Sequence, residues 1–366
     1  MKLKKNLSLL MALVMLIAIL TGCGTQGSTA NEPASSGQST QPSATQPAET
    51  TTPAEPDETT APEKTEDEYQ PVSIENFDRT VEFTQKPERV VVLTLNSAEI
   101  VAALGEADLI VGIAQNNNLV DDVLPELYPV LKDCAFPEAI NSGIPTLEGL
   151  LGLEPDLVIA NSYYFRVPQI FGAMEDYQSN GVEFYITEGS YIADCTIENT
   201  YNDIRNIGAI LGQQDKAEEL INDMKTRFEK VSSAVSGQTP LSVMSFDSLD
   251  EDGFTVAGGK GLVQNLIELA GGTNAFADAE QQFATVNIEE IIARNPDVIV
   301  IHAYTLFGEE DTQAKVDKLL NTPELSEVPA VKNNNIIIVP LFEVNPGLQN
   351  INYVEALAAA MYPDLF

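Results

Sequence analysis

The chain has 366 residues and a formal net charge of −36, from 19 basic against 55 acidic side chains. That length accommodates two domains of ordinary size, and so acidic a surface argues against nucleic acid or anionic lipid as a partner of the folded body. With one histidine in the whole sequence, acid–base catalysis and a bare zinc site both lack their commonest side chain.

Residues 1–22 have the layout of a secretory signal: Lys2, Lys4 and Lys5, then an apolar run from Leu7 to Leu20. The run is shorter than the roughly 20 residues of a membrane-spanning helix. It leads into LTGC, which resembles the bacterial lipoprotein signal. That resemblance implies a lipid on Cys23 and a membrane anchor of acyl chains, each buried methylene contributing roughly 0.8 kcal/mol. Residues 23–70 are Ser, Thr, Pro, Gln, Glu and Ala without apolar periodicity, and read as a disordered tether. As a flexible coil it would separate its ends by roughly 35 to 40 Å.

Residues 71–195 read as a first α/β lobe. RVVVLTLN, 89–96, is a β-branched buried strand, and the helix SAEIVAALG follows with Asn96 and Glu99 spaced as a capping box. ADLIVGIA, 107–114, and GVEFYIT, 181–187, are further strands. In the helical linker, 196–236, Ile197, Tyr201, Ile204, Ile207 and Leu211 form one stripe, Gly212 interrupts it, and Ala217, Leu220, Ile221, Met224 and Phe228 form another. The second helix would cross between lobes and permit only modest closure. Residues 237–366 form the second lobe: the strand PLSVMSF, an extended piece and glycine turn in GFTVAGGKG, a helix, the strand NIIIVP and a closing helix near 352–361. Alternation of strand and helix specifies the α/β class, two lobes with mostly parallel sheets joined by one long helix.

One segment occurs twice. TLEGLLGLEPDLVIANSY at 146–163 returns as NIEEIIARNPDVIVIHAY at 287–304, 141 positions later. Each copy carries apolar residues at helical spacing, a Pro-Asp stop, a buried strand, and a polar residue followed two positions on by tyrosine. Open α/β sheets bind ligands beyond strand carboxyl ends, so Asn161, Tyr163, His302 and Tyr304 are expected around one cleft. The same rule selects Asn96, Ser97, Asn116, Tyr164, Arg166, Tyr191, Phe246 and Phe342 in loops after other strands. Tyr, Phe and Asn suit a large chelate with an apolar rim and many carbonyl oxygens. Arg166 offers a fork for carboxylate or catecholate oxygens, or is a surface arginine. Three roles stay open for His302: hydrogen bond to ligand, ligation of haem iron or cobalt, or a satisfied polar residue. Tyr163 and Tyr304 either ligate iron or stack on the ligand.

Five blocks carry a resemblance: PERVVVLTLNSAEIVAALG, PTLEGLLGLEPDLVIA, the central helix, TVAGGKGLVQNLIELAGG and VPAVKNNNIIIV. In this order, across nearly all of 71–366, they resemble the ABC-transporter substrate-binding proteins for ferric siderophores, haem and cobalamin. The resemblance implies a shallow cleft between two lobes, binding without turnover and no resident cofactor. It further implies a metal-chelate cargo, an ABC permease as partner, and a lipid-anchored monomer on the extracytoplasmic face of the membrane. In that family a glutamate on each lobe docks against permease arginines, and the matching positions are Glu148 and Glu289. If Thr146 and Asn287 cap their helices, both glutamates occupy the second helical position and Glu290 is the capping partner. Their interaction with the helix macrodipole is worth about 0.3 to 1 kcal/mol in any case.

A ferric siderophore is the first expectation. Many siderophore binders of the family carry an arginine in the last loop, where this chain reads VNPGLQN; cobalamin fits that departure, and haem fits an available His and Tyr. The rivals are an extracellular enzyme and an adhesin. Against the enzyme, Ser97 and Ser245 have no histidine in obvious partnership, G-x-S-x-G is absent, and AGGKG lacks the spacing of a phosphate loop. Cys134 and Cys195 either pair or remain free thiols.

Overall fold

The β-branched runs become two sheets. This computed structural model describes residues 69–250 and 253–366; the signal, Cys23 and nearly all of the tether lie outside the described residues. In the first sheet β3 (Val90–Val92), β4 (Ile110–Ile113), β5 (Leu157–Ala160) and β6 (Glu183–Ile186) stand in the order β4-β3-β5-β6, all parallel. Before it, β1 (Val72–Asn76) and β2 (Arg79–Phe83) form an antiparallel hairpin that the expectations above omit. Its turn residues, Phe77 (φ 55°) and Asp78 (φ 57°), are both left-handed, the geometry that matches strand twist in a two-residue hairpin.

The second sheet holds β7 (Ser242–Leu249), β8 (Phe254–Ala257), β9 (Thr273–Asn274), β10 (Phe283–Val286), β11 (Val298–Ala303) and β12 (Ile336–Pro340). Its order is β10-β8-β7-β11-β12, with β9 beside β7. The β7, β11 and β12 strands are parallel, while β8 and β10 add an antiparallel edge. The fold is α/β with mostly parallel sheets, as expected.

The repeat is a structural duplicate. Thr146 caps the helix Leu147–Leu151, and Asn287 caps Ile288–Arg294. In the second copy Asn287 and Glu290 exchange side-chain-to-backbone hydrogen bonds of 2.8 and 2.9 Å, the reciprocal box read from the sequence. Glu154 and Asn295, both at φ 52°, reverse the chain after each helix. The Asp156 carboxylate then accepts from the backbone N–H groups of Glu88 (2.7 Å) and Arg89 (3.0 Å), and Asp297 accepts from Ser242 N–H (2.9 Å). The Pro-Asp dipeptide thus fastens the start of the neighbouring parallel strand in both lobes.

One boundary differs. The chain leaves β3 early because Thr94 Oγ1 accepts from Ser97 N–H (3.3 Å) and starts the helix Leu95–Ala103. Asn96 and Glu99 are therefore buried inside that helix and form no capping box.

Between the sheets in sequence, the helix Ile197–Ile210 ends at Gly212 (φ 70°), and the helix Gln214–Val235 follows. Ile204, Ile207, Ile221, Met224 and Phe228 belong to one apolar core that also contains Val90 and Val92 of the first sheet, Val298 and Val300 of the second, and Leu357 of the closing helix Asn350–Met361. Burial of each such side chain contributes roughly 1.5 to 3 kcal/mol. Arg227 reinforces the joint with a fork to Glu355 (3.1 and 2.7 Å) and a bond to Asn352 (2.8 Å). The linker is thus packed along its length, which makes the joint stiffer than a bare helix.

Candidate ligand-binding cleft

The carboxyl ends of the parallel strands converge on a cleft of about 550 Å³. Thr94, Asn96 and Ser97 follow β3, Asn116 to Asn118 follow β4, Asn161, Tyr163 and Tyr164 follow β5, and Thr187 and Ser190 follow β6. From the second lobe come Asp247 at the end of β7, Tyr304 after β11, and Leu341 and Val344 to Pro346 after β12.

The first-lobe wall is an amide and tyrosine lattice. Asn116, left-handed at φ 56°, donates Nδ2–H to Leu93 O (2.9 Å), and Tyr164 O–H reaches Asn116 Oδ1 and Leu93 O, each at 3.2 Å. Burial pushes the Tyr164 hydroxyl up to about 12, so it stays a donor. Asn161 Oδ1 accepts from Tyr163 N–H (3.0 Å) and starts a tight turn that presents the Tyr163 ring, 53 % exposed, edge-on to Tyr164.

The opposite wall is built on Asp247. Its carboxylate accepts from His302 Nδ1–H (3.1 Å) and Tyr304 O–H (2.8 Å). His302 Nε2 lies 2.8 Å from Ser245 Oγ, and the buried Lys315 ammonium sits 4.2 Å over the Tyr304 ring while donating to His302 O (2.8 Å). Burial alone would raise the Asp247 pKa, but the hydrogen bonds from His302 and Tyr304 and the nearby Lys315 outweigh it and hold the carboxyl below its ordinary value.

Across the floor, Asn96 Nδ2–H donates to Phe342 O (2.9 Å) and Gln349 Nε2–H donates to Glu99 Oε1 (2.8 Å), so first-lobe and second-lobe residues bond directly. At the rim Lys260 pairs with Asp194 (3.2 Å), and Gln282 donates to Ile192 O and Ala193 O, both 3.3 Å.

Of the residues selected from sequence, Asn96, Ser97, Asn116, Asn161, Tyr163, Tyr164 and Tyr304 come together here. Five do not. His302 is 0 % exposed because β11 runs on to Ala303, which keeps the ring within the sheet. Phe246 is core, packed on Phe254, because strand alternation turns Asp247 to the cleft instead. Phe342 is likewise buried and offers the floor only its carbonyl. Tyr191 turns away onto the hairpin, accepting from Phe77 N–H at 3.3 Å. Arg166 lies outside the cleft lining, at the far end of the tight turn Ser162–Arg166, roughly 6 Å further along its axis than Tyr163. Arg166→Ala is accordingly expected to leave ligand affinity within about twofold of the parent, as for surface substitutions generally, when measured by titration calorimetry.

Ser245 and His302 are partners after all, completing a Ser-His-Asp chain. Its exposure is the reverse of a hydrolase, since Ser245 and His302 are both 0 % exposed and only the carboxylate meets the cleft. Lys260, Gln282 and Phe283 went unselected because they reach the cleft from the antiparallel edge of the second sheet. Cys134 and Cys195 are free thiols. Glu148 and Glu289 are exposed at equivalent positions of the duplicated helices.

The sequence model of the family described as Periplasmic binding protein matches residues 90–341. The chain belongs to this family. Among periplasmic binding proteins and their relatives it is 26 % identical, over 79 % of its length and 84 % of the other, to the uncharacterized ABC transporter substrate-binding lipoprotein YvrC of Bacillus subtilis. It is 24 % identical to the vitamin B12-binding protein of Vibrio parahaemolyticus, over 68 % of this chain and 80 % of that one. A crystal structure of a periplasmic binding protein from Veillonella parvula aligns with a TM-score of 0.70 at 22 % identity, covering 80 % of this chain and 98 % of the other. The strand-end cleft described above is therefore set in a periplasmic binding protein fold.

Proposed function

We propose that this periplasmic binding protein captures a corrinoid outside the cell, held at the membrane by lipid on Cys23, and delivers it to an ABC import permease through Glu148 and Glu289. Its function is affinity, not turnover. One observation carries the choice of cargo: the polar part of the cleft lining is mostly neutral amides and hydroxyls, set beside apolar side chains such as Leu262, Val263 and Leu341, while its one lysine among the described residues is paired with Asp194 and the carboxyl of Asp247 is held below its ordinary pKa. An anionic catecholate chelate would find no free cation there, whereas a ring carrying many carboxamides meets complementary donors and acceptors. The similarity to a vitamin B12-binding protein supports the same reading. A neutral ferric hydroxamate, the form of siderophore that suits these amides, is the second reading.

Thermal unfolding in the presence of cyanocobalamin tests it. Ligand at about a hundredfold over Kd should add about 2.7 kcal/mol to apparent stability and raise Tm by several degrees. An unchanged Tm with cyanocobalamin, beside a rise with a ferric hydroxamate, would overturn the corrinoid and install the second reading.

A further inference from the structure

A carboxylate offers about four acceptor sites. At Asp247, His302 and Tyr304 occupy two, and no other donor among the described residues takes the rest. Behind it the donors run one way: Tyr353 O–H lies 3.4 Å from Ser245 Oγ, Ser245 O–H points to His302 Nε2, and His302 Nδ1–H to the carboxylate. Tyr353, Ser245 and His302 are thereby each paired, and the carboxylate orientation is fixed before any ligand arrives. In the lining of the same cleft, Asn118 is 2 % exposed and its Oδ1 has no donor among the described residues. A buried carbonyl oxygen left without a partner is costly to the fold. Two acceptors in the cleft lining thus have capacity that no donor among the described residues fills.

We infer that Asp247 and Asn118 are the specificity-determining contacts of the cleft: they accept N–H groups of the bound ligand, and Asp247 excludes ligands that bring a carboxylate to that point. The ligand class is then a chelate whose periphery carries amide or ammonium N–H. This rests on the capture reading above and sharpens it, since a corrinoid with its carboxamides intact satisfies both acceptors, and a corrinoid with one carboxamide hydrolysed to the acid sets like charge against like.

Calorimetric titration of the whole mature chain with matched ligand pairs tests the inference. The pairs are cyanocobalamin against its side-chain monocarboxylic acids, and a ferric trihydroxamate with a free ammonium against its succinylated, anionic form. The parent should bind the uncharged or cationic member at least about tenfold more tightly. Asp247→Asn should reduce that preference below about threefold, mainly by tightening the anionic member. Asn118→Leu should weaken both members of a pair together. Equal affinity of the parent for both members overturns the inference whether or not any variant folds. So does an Asp247→Asn protein that binds with its preference unchanged. If only the trihydroxamates bind and Asp247→Asn abolishes their charge preference, the corrinoid reading falls while the role of Asp247 stands; if neither pair binds, both fall.

Discussion

Changing Glu148 and Glu289 together to alanine is expected to leave cargo affinity within about twofold, as for exposed residues remote from a site, and to abolish import by the intact transporter. The two carboxylates sit at the second position of the duplicated helices, under the caps of Thr146 and Asn287, and neither side chain makes a hydrogen bond or ion pair among the described residues. Beyond the small macrodipole contribution, the fold makes no use of them among the described residues. Paired carboxylates presented on matching surfaces suit a permease with matching arginines, and such rim charges act through steering and register. Uptake of radiolabelled cargo by cells, beside calorimetry on the purified variants, separates the two effects. Normal uptake by the double variant, or lost binding, would refute the docking role; each single variant is expected to retain part of the transport.

Stability is expected to fall as pH rises from 5 to 8, contrary to the usual trend. The reason is a set of buried carboxyls with raised pKa. Glu99 is pushed from 4.5 to about 7, first by burial and in small part by the charge of Glu126, against the hydrogen bonds from Leu124 N–H and Gln349. Its Oε2 has no partner. Asp203 rises to about 8 through burial, although Tyr185 and Glu188 N–H donate to it, and Glu343 rises to about 7 through burial. Between pH 4.5 and 7 the fold keeps a proton on Glu99 that the unfolded chain has released, so stability is lost across that window and levels off above it. For Glu99 the loss is on the order of 3 kcal/mol. Asp247, held low, acts with the opposite sign and only in strong acid. Glu99→Gln keeps the acceptor and removes the charge, so it should flatten the pH profile of the urea midpoint by roughly that amount. A parent midpoint that climbs between pH 5 and 8 would contradict the assignment.

How much of this was legible depended on which rule of geometry each residue obeyed. The duplicated segment marked two strand ends without ambiguity, which is why Asn161, Tyr163 and Tyr304 fall in the cleft. Phe246 failed by a single position: alternation has period two, and an error of one exchanges the faces of a strand, so the core took the ring and the cleft took Asp247. His302 failed because the apolar run ends at Ile301, two residues before the strand does. Tyr191 was claimed by a hairpin whose short polar strands resemble a loop in composition. Lys260, Gln282 and Phe283 depend on β10 pairing with β8, a long-range antiparallel contact that local periodicity does not encode.

The shared apolar core beneath the linker has a consequence for traffic at the membrane. Because side chains of both sheets and of the linker helices share that core, opening on release of cargo would have to unpack it, and only modest movement is expected. If Glu148 and Glu289 dock as proposed, empty and loaded copies are then expected to present the two carboxylates at similar spacing and to compete for the same transporter. On that expectation, the difference an importer reads would lie at the lips of the groove, where Tyr163, Lys260 and Gln282 line the cleft.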